Sequence, residues 1–190
     1  HDSIHDELVD RMVGVANSLS LKPGIDQAAF GPTMGAMVSE AQRDRAVGMI
    51  CAAQEEGAGI AAGGHKANIP GAFLEPTVLT DVLPEMSIAQ EEVFGPVVSV
   101  LKFSTDGEAI QIANGTPFGL VGGVFTRDLD RATSAARQLR AGQVFVNEWY
   151  AGGVETPFGG FGKSGYGREK GREALWNYVQ TKNIAIKLQD

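Results

Sequence analysis

The sequence predicts an α/β fold in which helices cover a parallel sheet and a strand protrudes at the C-terminus. Three observations carry this. Residues 97–103, VVSVLKF, are apolar on both faces, as a strand covered by helices on both sides must be. Strand and helix then alternate through residues 121–125, a helical segment opened by Asp128, and residues 143–146, which is the pattern of a parallel sheet. The chain has 190 residues, 43% hydrophobic and 21% charged, enough for a well-cored globular domain.

The elements follow in order. Ser3 and Asp6 have capping-box spacing, and Ile4, Leu8, Met12, Val15 and Leu19 recur at helical intervals, so a helix is expected to about Ser18. Residues 21–36 are broken by Pro23-Gly24 and Gly31-Pro32 and read as loop. Ser39 and Gln42 form a second capping box, opening a helix to Glu56 with Gly57 at its C-terminal cap and Met49, Ile50 and Ala53 on its apolar side. Residues 59–62 are compatible with a short strand, and residues 73–79 contain Pro76 and are expected to be an edge strand or an extended connection. Thr105 and Glu108 cap a short helix closed by Asn114-Gly115. Leu129, Ala132, Ala136 and Leu139 share one face of the helix after Asp128, and Gly142 ends it. Residues 168–178 are expected to be helical. Residues 181–188 alternate, with Ile184, Ile186 and Leu188 on one face. A terminal strand needs a partner, so it either joins a sheet of another subunit or folds back on its own chain.

Composition narrows the function. Net charge is -7 and pI about 5.0, which disfavours nucleic acid as a partner. No apolar run is long enough to span a bilayer, and no membrane partner is expected. The charged N-terminus lacks the apolar core of a signal peptide, and the missing initiator Met points to a processed or truncated chain. The single cysteine, Cys51, excludes an internal disulfide and fits the reducing cytoplasm. Flanked by alanine within a helix, it reads as a small buried hydrophobe rather than a nucleophile. His1, His5 and His65 lack metal-ligand spacing, so no metal site is expected.

Residues 147–171 concentrate glycine and interleave Trp149, Tyr150, Phe158, Phe161 and Tyr166. Aromatics argue against disorder, and so long a loop is expected to line a site. Residues 160–165, GFGKSG, match a dinucleotide fingerprint in letters, but no strand ends just before them. PFGGFGKS approaches a phosphate-binding loop, with Pro157 removing an amide where phosphate needs one. A nucleotide-binding protein using Lys163 is one alternative to weigh.

Residues 86–98, MSIAQEEVFGPVV, residues 114–132, NGTPFGLVGGVFTRDLDRA, and residues 157–171, PFGGFGKSGYGREKG, resemble in this order the aldehyde dehydrogenase superfamily. The similarity covers essentially the whole chain. It implies an NAD- or NADP-dependent oxidation of an aldehyde to a carboxylic acid. In that chemistry a cysteine thiolate forms a thiohemiacetal, hydride leaves to the nicotinamide, and a glutamate-activated water hydrolyses the thioester. By motif position, Glu92 resembles the carboxylate that binds the nicotinamide ribose, Phe94 the aromatic packed by the nicotinamide, and Leu120 its apolar neighbour. Tyr150, Gly152 and Phe158 match positions lining the aldehyde tunnel, with Trp149 beside them, and the small Gly152 is expected to widen it. Glu169 resembles an acid assisting proton relay, and Arg168 a residue near the subunit interface. Gly162 stands where many members carry lysine, and Lys163 follows it.

The resemblance also implies what lies upstream: the nucleophilic cysteine, the general-base glutamate and the coenzyme-binding domain. Residues 1–178 are therefore expected to be the C-terminal part of a catalytic domain, inactive alone. Residues 179–190 are expected to be an oligomerisation strand holding a homodimer or homotetramer. A second alternative is a non-catalytic assembly module that uses only this oligomer surface.

Overall fold

The computed structural model describes residues 1–24, 31–150 and 152–188. Its contacts separate into two compact units, His1–Ile112 and Ala113–Asp190.

In the first unit a 3-10 turn, Asp2–Ile4, leads into α1, His5–Ser18. The expected capping box does not form. The Ser3 amide is taken by the His1 ring, and Asp6 is drawn to His5 Nδ1 at 2.7 Å. Residues 21–36 are not all loop: β1, Ser20–Leu21, pairs in parallel with β2, Thr33–Met34. The part of that loop at residues 25–30 lies outside the described residues. Helix α2, Glu40–Glu55, opens as expected, with Ser39 Oγ accepting from the Gln42 amide at 3.1 Å. It closes in a Schellman cap: Gly57, at φ 109°, donates to Gln54 and Ala58 donates to Ala53.

Strands β3, Gly59–Ala62, β4, Thr77–Thr80, and β5, Val97–Ser99, make one sheet in the order β3-β4-β5. β4 is antiparallel to β3 and parallel to β5. The segment expected at an edge is thus the central strand. Pro76 stands just before its first residue and removes no ladder bond. β5 is shorter than expected: Val100 still donates to the Leu79 carbonyl, and residues 101–103 lie beyond the pairing. Helix α3, Ser87–Gln90, precedes β5. The core lies between α2 and this sheet, around Ile50, Leu74 and Leu79, and includes Val82, Met86 and Ile88. Ile50 and Ala53 are buried as expected, whereas Cys51 is exposed, because it points off the opposite side of α2. Helix α4, Asp106–Ala113, is capped by Thr105 Oγ1, which accepts from the Glu108 amide.

The second unit is built on β6, Val121–Val124, and β7, Gln143–Val146, a parallel pair joined through α5, Leu129–Gln138. Asp128 caps α5, accepting from the Arg131 amide at 3.0 Å. Of the apolar face expected on α5, Ala132 is buried while Leu129 is exposed. The chain is α/β with parallel pairing and helical cover, as expected, although its ladders form separate small sheets. Residues 168–178 contain no α-helix; a 3-10 helix spans Arg172–Tyr178. Residues 179–188 carry no ladder partner among the described residues and are exposed, Ile184, Ile186 and Leu188 included.

Candidate active-site loops

The loop before β5 carries Glu92 and Phe94, both exposed. Phe94 has φ 54°, a left-handed backbone that is unusual for a bulky residue, and its ring is 68% exposed. That conformation costs about 1–2 kcal/mol. Its support comes from α2. The Gln42 side-chain amide donates to the Val93 carbonyl at 2.9 Å and to the Phe94 carbonyl at 3.2 Å. Arg45 Nη1 donates to the Glu92 carbonyl at 3.4 Å, and its guanidinium lies 3.7 Å from Glu91. Two hydrogen bonds at about 0.5–1.5 kcal/mol each balance the strain. Below, Gly95 rests against Met37, Ala46 and Leu74. The Glu92 carboxylate has no ion-pair partner among the described residues and stands free to accept hydrogen bonds.

Helix α2 is itself fastened by charge. Arg43 Nη1 donates to the Gly71 carbonyl at 2.8 Å. The Arg43 guanidinium, at 2.9 Å, and then Lys66, at 2.8 Å, hold the Asp44 carboxyl below the usual carboxylate range.

In the second unit the sequence-predicted residues fall at opposite ends of the β6–β7 pair. Asn147, φ 58°, turns the chain out of β7, and its side chain bonds both the amide and the carbonyl of Thr126. Tyr150, φ 60°, then folds back so that its ring stacks on buried Phe145 at 6.1 Å, with Trp149 5.9 Å from Phe145. Phe145 as this anchor was missed in the sequence; its inward place in β7 is the signal that could have found it. Gly152 has φ 98°, and a Cβ there would press on the Thr156 side chain, so glycine answers a backbone need at that position. Ala151 lies outside the described residues.

The rest of the loop does not stay at the carboxyl ends of the strands. It returns to their amino ends, where Leu120 stands just before β6. Phe161 and Lys163 donate their amides to the carbonyls of Gly119 and Pro117, and Ser164 Oγ accepts from the Gly119 amide. The Gln143 side chain donates to the Pro157 carbonyl at 3.1 Å. Phe158 and Glu169 face one another in an isolated antiparallel bridge, exchanging both hydrogen bonds at 2.7 Å. Directly opposed residues project to one side of such a pair, so this bridge brings these two together. Lys170 Nζ lies 5.7 Å from the centre of the Phe158 ring. Arg168 spans the turn, donating to the carbonyls of Gly160 and Gly167 and lying over Phe161.

This geometry speaks against the phosphate-loop alternative. The amides of Phe161, Lys163, Ser164 and Gly165 all donate to protein carbonyls, and the stretch holds only a three-residue 3-10 turn, Gly162–Ser164. A phosphate cradle needs consecutive free amides ahead of a helix. A groove of about 540 Å³ lies near the carboxyl ends of β6 and β7, lined by Phe125, Arg127, Leu129 and Asn147 among others. It holds none of the sequence-predicted residues. Among the described residues no group of three or more His, Cys, Asp or Glu could hold a metal, and no helix is long and apolar enough to cross a membrane.

Residues 1–184 match the aldehyde dehydrogenase family. Aldehyde dehydrogenase tropH of Talaromyces stipitatus is 42% identical over 99% of this chain and 38% of its own length. The betaine aldehyde dehydrogenase of Mesorhizobium japonicum is 44% identical over 98% of this chain and 39% of its own. The cytosolic aldehyde dehydrogenase 1 of Rattus norvegicus is 41% identical, with 37% of its length covered. Among solved structures, the NAD+ complex of an aldehyde dehydrogenase from Bacillus cereus superposes with a TM-score of 0.92 at 39% identity. It covers all of this chain and 38% of that one. The chain thus spans less than two fifths of the length of the curated relatives it matches.

Proposed function

This chain belongs to the aldehyde dehydrogenase family, and from that premise we propose that it is the C-terminal part of the catalytic domain of an NAD- or NADP-dependent enzyme that oxidises an aldehyde to a carboxylic acid. The observation that carries the reading is the loop before β5. It offers an unpaired carboxylate, Glu92, beside an exposed aromatic, Phe94, on a backbone braced in a left-handed turn. A carboxylate accepts two hydrogen bonds, which suits the vicinal hydroxyls of a ribose, and an exposed ring suits a flat heterocycle. When bound, the nicotinamide would supply the hydride acceptor. The chain's own residues bind and orient: in the first unit Glu92 takes the ribose and Phe94 packs by the nicotinamide, and Leu120 of the second unit matches, by motif position, an apolar neighbour of the coenzyme. Tyr150 and Gly152, past the carboxyl end of β7, and Phe158, towards its amino end, are the residues that by motif position line the aldehyde's approach. Glu169, held opposite Phe158, assists proton movement at its carboxylate.

In this reading the nucleophilic cysteine, the general-base glutamate and the coenzyme-binding domain belong to the parent enzyme outside residues 1–190. Cys51, exposed on α2, is in this reading not that nucleophile. The test is NADH formation from a panel of aldehydes. A full-length protein carrying this chain should turn over, and the pure 190-residue chain should not exceed a blank. Turnover by the chain alone would overturn the assignment of the chemistry.

Residues 179–190 are the oligomerisation strand of a homodimer or homotetramer in this reading. The exposed Ile184, Ile186 and Leu188 support it, as does the lack of a ladder partner among the described residues. Deleting residues 182–190 should shift the mass by light scattering towards the monomer; an unchanged mass would sink the idea. The reading also places the protein in the cytoplasm, in line with its lone cysteine and the rat relative's name.

A further inference from the structure

We propose that Gln42 is a positioning residue for coenzyme binding. It acts through the backbone of residues 92–94, and it rests on the reading of Glu92 as the ribose ligand. The Gln42 side-chain Nε2 donates to two consecutive carbonyls, those of Val93 and Phe94. These belong to the left-handed turn that carries the exposed Phe94 ring, two residues after Glu92. The carbonyls come from a segment about fifty residues away in sequence, so this support reaches the turn from outside its own segment.

The half-buried Gln42 sits in the first turn of α2, where Ser39 fixes the helix start through the Gln42 amide itself. Helix, side chain and loop are therefore one rigid path from the Ser39 cap to Phe94. Arg45, a turn later, adds longer contacts to the Glu92 and Val93 carbonyls. The capping-box pattern would have Gln42 reach back to the Ser39 amide. Here the side chain reaches across to the loop instead. Glutamate, equally at home in a capping box, could not replace it, because a carboxylate offers no hydrogen to a carbonyl.

The test compares Gln42→Met, which keeps the length and removes the donors, with Glu92→Gln. In a full-length enzyme carrying this chain, Gln42→Met should raise the NAD+ dissociation constant about tenfold and leave kcat within about twofold. Amide hydrogen exchange of the coenzyme-free protein should accelerate at residues 93–95 and stay unchanged in β4. Gln42→Lys, which can still donate, should restore slow exchange. If Glu92→Gln weakens NAD+ binding but Gln42→Met changes neither affinity nor exchange, the inference is wrong while the ribose assignment stands. If Glu92→Gln leaves the affinity unchanged, the ribose assignment fails and this inference fails with it.

Discussion

The loop of residues 91–96 and the loop of residues 147–171 both carry the candidate binding residues, but they are held in different ways. The first is short, lies against a formed core, and is gripped by two side chains of α2. The second is long and is held chiefly by its own backbone: amides and carbonyls of Gly119, Pro117, Phe158 and Glu169, with glycines allowing the strands of chain to meet. A side-chain grip can be loosened by one substitution without disturbing the element beneath. A backbone contact leaves no such freedom, because any added Cβ moves the whole loop. The difference predicts where mutations act on stability and where they act on function.

The largest effect should come from the core under the first loop. Leu79 is fully buried in the central strand β4, and Leu79→Ala should cost about 2–5 kcal/mol, read by denaturant unfolding. A loss below about 1 kcal/mol would mean that this platform is looser than the packing around Leu79 implies. Next is the second loop's tightest crossing. A Cβ at Gly142 would overlap the carbonyl oxygen of Gly159, so Gly142→Ala should destabilise by about 1–3 kcal/mol and expose residues 157–165 to proteolysis. Rapid cleavage there without loss of stability would show that the loop is an appendage and not part of the second unit's fold. Asn147→Ala should cost about 1–2 kcal/mol, since it removes both bonds to Thr126 at a left-handed position that asparagine tolerates. Asn147→Gly, which keeps the backbone freedom, should cost less.

The same contrast explains what the sequence disclosed. Periodicity and caps placed α2, α5, β6 and β7 closely, because Ser39, Asp128 and the apolar alternation act within a few residues. Central β4 was misjudged as an edge because Pro76 was weighed as though inside the strand. Ser3 and Asp6 looked like a capping box, but His1 and His5 compete for both. Cys51 was read as buried because one helix turn of alanine says little about which side faces the core. At the site, motif letters pointed to Glu92, Phe94, Phe158 and Glu169 as candidates, which stay a proposal. They did not disclose the bridge between Phe158 and Glu169, the Gln42 grip, or the return of the loop to the amino ends of the strands. Those depend on contacts between segments far apart in sequence, which local pattern does not encode.

A smaller effect tests the platform from the favourable side. Gly48 lies within α2 with open space where its Cβ would be. Gly48→Ala should stabilise by about 0.5–1 kcal/mol through the lower entropy of the unfolded chain. It should do so without altering exchange at residues 93–95, because the Gln42 grip lies on another turn. Destabilisation instead would place this face of α2 against another surface.

The smallest effect is electrostatic and concerns the fastening of α2 beneath Gln42. Arg43 and Lys66 hold the Asp44 carboxyl below its ordinary value, so the folded state binds its proton more weakly than the unfolded chain does. The stabilisation is therefore fully present above the unfolded carboxylate pKa of about 3.9 and is lost as pH falls through the lower folded value. Asp44→Asn should lower Tm slightly at neutral pH, and the gap to the parent chain should close as pH drops below about 3.9. Lys66 and Asp44 are half exposed although Arg43 is largely covered, so water screens the Lys66 pair most and added salt should shrink the neutral-pH gap as well. A gap that persists unchanged at about pH 2 would mean that Asp44 contributes through the shape of its packing against Arg43 and not through its charge. The fastening of α2 would then rest on the Arg43 bond to the Gly71 carbonyl alone.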